Sequence, residues 1–150
     1  MSNASLVSLA LLGGILLAIQ GGFNSQLSTQ LKSPFLAALI SFVISSILAG
    51  LVIALSLKKL PDWQEVQLIP PYLWFAGAIF SFLGICLYYY TIPKLGISSM
   101  ISLGLTGQML ISVIAGHFGW FGLEVEPISL RRLLGIAAMI IGIILINHHK

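Results

Sequence analysis

The chain has 150 residues, 58% of them hydrophobic and 7% charged, with seven Lys or Arg, four Asp or Glu and a formal net charge of +3. A soluble domain carries about 25% charged residues, so a water-facing surface cannot be assembled here and the composition is that of an integral membrane protein. Seven scattered basic residues make no patch for nucleic acid, and the single cysteine, Cys86, excludes a disulfide framework and any paired-cysteine metal or redox motif.

A helix crosses the hydrocarbon core with about 20 apolar residues, and five segments meet this requirement. The first, residues 5–31, is longer than needed and must tilt or project. Its leading residues lack the Lys or Arg of a secretory signal, and the run is too long for one, so it reads as a retained span. A break at Lys32-Ser33-Pro34 precedes the second span, 35–57, with Pro34 suited to a first helical turn. Lys58-Lys59-Leu60-Pro61-Asp62 ends that span, and a polar connection to residue 70 follows. The third span covers 71–92, and Pro93-Lys94-Leu95-Gly96 reads as a tight turn. The fourth covers 97–117. A longer loop, 119–129, leads through Arg131-Arg132 into the fifth, 130–146. The expected architecture is one all-α, five-helix transmembrane domain spanning 1–150.

An odd number of spans places the termini on opposite sides of the membrane. One side holds Lys58, Lys59, Arg131 and Arg132, and the other holds Lys32, Lys94 and Lys150. Orientation follows Lys/Arg asymmetry, and four against three scarcely sets one. Two readings are open: a single orientation with the four-charge side in the cytoplasm, or dual topology with copies paired antiparallel.

Small and polar residues fall into stripes at helical spacing: Gly13, Gln20 and Asn24; Ser41 and Ser45; Gly77, Ser81, Gly84 and Tyr88; Gly104, Gln108, Ser112 and Gly116; Gly135 and Gly142. Such stripes let membrane helices approach closely. Gln20 and Asn24, four apart, share one helix face. An amide left unpaired in hydrocarbon is costly, so Gln20, Asn24 and Gln108 must face one another, water or a solute. Two readings stay open for them, a structural amide network and a solute site. Tyr88-Tyr89-Tyr90 covers most of a helix circumference, and Tyr88 shares the small-residue stripe. Trp63, Tyr72, Trp74 and Trp120 lie near span ends, where interfacial anchoring is the default. His117 is the one side chain near a span end that changes charge around neutral pH.

No carboxylate, Lys or Arg lies well within a span. There is no paired-carboxylate site, Gly-rich phosphate loop or zinc spacing. The chain is therefore not read as an enzyme, and no cofactor or metal is expected. Without a carboxylate at membrane depth, a neutral or zwitterionic solute, or a facilitator, is expected over proton-driven export of a permanent cation.

Leu17-Ala18-Ile19-Gln20-x-x-x-Asn24-x-x-Leu27, Ser33-Pro34 and Ser41-Phe42 resemble the opening of the YdcZ-like five-span branch of the drug/metabolite transporter superfamily. Trp74-x-x-Gly77, Pro93-x-Leu95-Gly96, Gly107-Gln108-x-x-x-Ser112, His117-Phe118-Gly119-x-x-Gly122 and Arg132-x-x-Gly135 with Gly142 follow in the same order. The resemblance implies a multi-pass protein of the bacterial cytoplasmic (inner) membrane that transports a small molecule. It also implies kinship with ten-span relatives whose two five-span halves are inverted. Gly116 stands where the family commonly has Asp, so a role for that carboxylate does not carry over.

The combined expectation is a dual-topology homodimer forming a ten-helix bundle and working by alternating access. Gln20, Asn24 and Gln108 would hydrogen-bond the solute, and Trp74 and Tyr88 would wall the pocket. A half-transporter needing a paralogous partner of opposite orientation, and a non-transporting interaction subunit, are the alternatives.

Overall fold

The structure is a computed structural model that describes residues 2–56 and 60–148. The expected end of the second span at Leu57, the Lys58-Lys59 pair, and His149 and Lys150 of the tail lie outside the described residues. Those residues hold six α-helices and a 3₁₀ turn, and no strand. They are α1 (Asn3–Leu31), α2 (Pro34–Leu55), α3 (Trp63–Gln67), α4 (Pro71–Leu95), α5 (Ile97–Phe118) and α6 (Leu130–Asn147).

All but α3 are long and apolar enough to cross a membrane. At about 1.5 Å per residue, the 29 residues of α1 exceed the hydrocarbon core of about 30 Å, whereas the 18 of α6 barely reach across.

Local chemistry explains the boundaries. Lys32 closes α1 in the left-handed region at φ 52°, with its N–H directed at the Ser28 and Thr29 carbonyls. Ser33 then caps α2, its hydroxyl accepting from the Leu36 N–H at 3.3 Å, and Pro34 occupies the first turn, where its missing N–H is not needed. Two residues therefore suffice to reverse the chain. In the 58–70 connection the Asp62 N–H donates to Glu65 Oε2 at 3.2 Å, and this reciprocal capping pattern opens the short α3. Ser129 caps α6 by accepting from the Arg132 N–H at 3.3 Å.

The expected turn at 93–96 is a correction. Pro93 lies inside α4, which continues to Leu95, and Gly96 alone is non-helical, at φ 83°. A proline in a last turn forfeits one hydrogen bond without ending the helix, whereas the backbone at Gly96 needs a residue without a Cβ. α6 likewise extends through Asn147, one residue past the expected span.

The chain divides into two compact units, Met1–Lys94 and Leu95–Lys150. In the first, α1 and α2 pack closely, and Ala37 and Ala38 are 0% exposed. Together with Cys86 and Tyr89 from α4 they form the buried cluster, flanked by Leu27, Phe42, Ile85 and Tyr88. Phe35 and Phe82 join α2 to α4 with ring centroids 6.1 Å apart. Cys86 is a free, buried thiol packed as a small apolar group.

In the second unit α5 packs on α6, and Ala115, Ser99 and Ser102 are buried. Asn147 at the end of α6 donates to Ser102 Oγ at 3.3 Å and to the Ile143 carbonyl at 2.8 Å.

The stripe glycines of α1, α4 and α6 make no close approach inside the units. A Cβ built on Gly13, Gly77, Gly84, Gly135 or Gly142 meets nothing within 4 Å, whereas one on Gly21 meets Ile92 at 3.5 Å. Most span hydroxyls turn back on their own helix: Ser25 donates to the Gly22 carbonyl, Ser41 to Ala37, Thr106 to Ser102 and Ser112 to Met109. The longer side chains of Gln20, Asn24 and Asn147 reach across to another helix.

Candidate functional site

Two polar clusters stand out, one in each unit. In the first unit, Gln20 Nε2 and Asn24 Nδ2 lie 3.3 and 2.8 Å from the Tyr89 hydroxyl. The four-residue spacing stacks the amides on one face of α1, and Tyr89, only 1% exposed, meets both from α4. One phenol oxygen answers two amides, so each amide retains a further N–H and a carbonyl. Both residues are half-buried, and that remaining capacity lies toward the surface of the unit.

Tyr89 was missed by the sequence reasoning, which favoured its neighbour. Tyr88 is half-buried beside the Ala37–Ala38–Cys86–Tyr89 cluster. Three consecutive tyrosines face about 100° apart on a helix, and the register of α4 against α1 is needed to tell which one meets the amides. No signal in the run itself could have found it.

Trp74 is 54% exposed, near the start of α4. Fourteen residues separate it from Tyr88, or about 21 Å along a helix, so within one copy these two rings cannot wall the same small pocket.

Gln108 belongs to the second unit. It lies on α5 beside a groove of about 660 Å³, whose other walls include Ser112, Phe121, Leu123, Glu124 and Glu126. The opposite wall exists because of how α5 ends. Gly119 closes the helix at φ 63°, and a Cβ there would come within 2.9 Å of Val125 Cγ2. After the 3₁₀ turn Trp120–Gly122, residues 123–129 run back along the end of α5 as a strap. The Glu126 N–H donates to the Gly116 carbonyl at 2.8 Å, and the Ile128 N–H approaches His117 Nδ1 at 3.5 Å.

Arg132 holds the strap from the first turn of α6. Its Nη1 donates to the Glu126 carbonyl at 3.0 Å, and its Nη2 pairs with Glu126 Oε2. His117 therefore acts as a tether of the strap, with its ring edge-on to Phe118 at 4.9 Å.

Gly116 has a specific neighbour: a Cβ at this position would lie 3.7 Å from the Glu126 Cβ and 3.9 Å from its Oε2. A carboxylate from the loop thus stands beside the fourth span where the span itself carries none. The short sequence distance between Gly116 and Glu126 hinted at this approach, but only the reversal at Gly119 produces it. Among the described residues, no group of three His, Cys, Asp or Glu side chains could hold a metal ion.

Five apolar helices with uncharged amides within the spans define a multi-pass helical membrane protein. The chain belongs to the YdcZ family of the drug/metabolite transporters: the family model described as "Putative inner membrane exporter, YdcZ" matches residues 5–145. Its place is accordingly the inner membrane. No curated protein and no solved structure matches the chain.

Proposed function

We propose that the chain, acting as a single five-helix domain over 1–150, is one half of a dual-topology antiparallel homodimer that moves a small molecule by alternating access between its two inverted copies. Gln20, Asn24 and Gln108 hydrogen-bond the solute, and Trp74 and Tyr88 supply aromatic walls.

The observation that carries this reading is the incomplete satisfaction of the α1 amides. Gln20 and Asn24 share one phenol oxygen and keep their remaining capacity toward the surface of the unit. In a bilayer such capacity must be met by another polar surface or by a solute.

The position of Trp74 supports inversion. It lies nine residues before the middle of α4, whereas Tyr88 lies five after it. These offsets correspond to about 13 and about 8 Å. Turning a second copy upside down exchanges the signs, bringing the partner's Trp74 to within about 6 Å of the level of Tyr88. The glycine stripes of α1, α4 and α6, empty of neighbours within their units, are surfaces onto which a second copy can pack closely.

Reporter fusions to the C-terminus test the arrangement: signal from both sides of the membrane supports the homodimer, and signal from one side alone supports a paralogous partner. Replacing Gln20 and Gln108 with Leu should abolish solute binding while the oligomer persists. Loss of the oligomer would make the amides structural instead. Solute uptake into proteoliposomes of the purified chain, against empty vesicles, separates a transporter from an interaction subunit.

A further inference from the structure

We infer that His117 is a pH-sensitive latch on the 123–129 strap. Its neutral imidazole holds the Ile128 end of the strap against the end of α5, and protonation releases that end. The strap, which walls the groove at Leu123, Glu124 and Glu126, then lifts from α5 more often. The latch goes beyond the transporter reading and does not depend on which solute the groove receives.

His117 lies half-buried in the last turn of α5, and the Ile128 N–H approaches its Nδ1 at 3.5 Å. An imidazole nitrogen accepts a hydrogen bond only while it carries no proton. Protonation places an N–H on Nδ1, so that two donors face each other and the contact is lost. Pro127 has no N–H, so Ile128 is the first amide after Glu126 that can tie the strap down. The turn also suits a cation, because the last carbonyls of a helix favour positive charge.

The other anchors of the strap do not involve the imidazole. The Glu126 N–H donates to the Gly116 carbonyl at 2.8 Å, and Arg132 holds the Glu126 carbonyl and carboxylate. Protonation therefore removes one tether of three, and the strap loosens first at Ile128. On α5 His117 is the one titratable side chain, and the 3₁₀ turn Trp120–Gly122 has none. The strap brings Glu124 and Glu126, and the first turn of α6 brings Arg131 and Arg132. Glu126 is engaged by Arg132, which leaves Glu124 as the carboxylate able to draw an imidazolium back. That pairing would tighten the strap in acid, the opposite of the latch.

Amide exchange of the full-length chain in nanodiscs tests this without any solute. Rates are compared at about pH 5.5 and about pH 7.5, on either side of the ordinary imidazole range, each divided by its intrinsic rate. Ile128 should lose protection by about fivefold at the lower pH, and Glu126 by less. His117→Asn, whose side-chain oxygen accepts at either pH, should keep Ile128 protected and abolish the pH dependence. His117→Leu should leave Ile128 unprotected at both, and Glu124→Gln should preserve the parent's pH response. Circular dichroism of each variant checks that the helices persist. Equal protection of Ile128 at the two pH values in the parent chain overturns the latch, as does slower exchange in acid. A pH response that survives in His117→Asn assigns it to another group and overturns the latch too. Failure of the chain to move any solute would remove the transporter reading and leave this exchange pattern as expected.

Discussion

Asn24 on α1 and Tyr89 on α4, 65 residues apart in the chain, meet in a 2.8 Å hydrogen bond, and Gln20 approaches the same phenol at 3.3 Å. This contact sets the register of two membrane helices through side chains alone. Hydrogen bonds between membrane helices average about 0.6 kcal/mol and reach about 1.7. Tyr89→Phe, which removes the shared partner and keeps the ring, should therefore lower stability by about 1–2 kcal/mol, measured by denaturation in mixed detergent micelles. An unchanged transition midpoint would show that the amides find equivalent partners elsewhere.

Cross-linking can report the inverted copy directly. In a Cys86→Ser background, a chain carrying Trp74→Cys mixed with a differently tagged chain carrying Tyr88→Cys should form a mixed dimer with a short bismaleimide. Each variant alone should cross-link poorly. Efficient coupling of Trp74→Cys to itself would place the α4 starts of two copies at one level, which parallel copies satisfy and inverted ones do not.

The end of α5 separates two glycines that look alike in the sequence. Gly119→Ala must hold an alanine at φ 63° with its Cβ 2.9 Å from Val125, and should cost about 1–3 kcal/mol in the same denaturation assay. Gly116→Ala meets only ordinary contacts at 3.7 and 3.9 Å and should be tolerated. Gly116→Asp should free the strap, because it sets a second carboxylate against Glu126.

Arg132→Ala removes both the ion pair and the donor to the Glu126 carbonyl. The pair is exposed, so the change in global stability should stay within about 1 kcal/mol. Local opening is a separate quantity, and amide exchange of residues 123–129 should accelerate clearly. High salt should reproduce part of the acceleration in the unaltered chain through screening. Equal exchange in variant and parent would mean that the Gly116 and His117 contacts hold the strap by themselves.

Orientation is expected to answer to two lysines. Lys32→Gln with Lys94→Gln changes the balance from four against three to four against one. The chains should then insert with the four-charge loops in the cytoplasm. C-terminal reporters should report one side only, and uptake by a homodimer should fall away.

Most of the secondary structure was legible in the sequence because membrane spans are encoded in composition and length. The Ser33-Pro34 start is local too, since a hydroxyl cap and a proline ring act on their own few residues. Local pattern gave the wrong outcome at Pro93, because the presence of a proline does not tell whether a helix stops before it or carries it in a last turn. The polar cluster on α1 was legible in part: Gln20 and Asn24 announce themselves as amides in hydrocarbon, four apart, while their partner Tyr89 does not.

What the sequence alone determined, then, is the class of the protein, five apolar spans with uncharged amides inside and charges outside, because transfer to lipid depends on each residue's own chemistry. The tertiary structure decided that Tyr89 answers Gln20 and Asn24, and that Glu126 lies at Gly116 with Arg132 across from it. Those outcomes depend on the rotation of one helix against another and on a chain reversal at φ 63° in Gly119, geometric relations that no single stretch of residues contains.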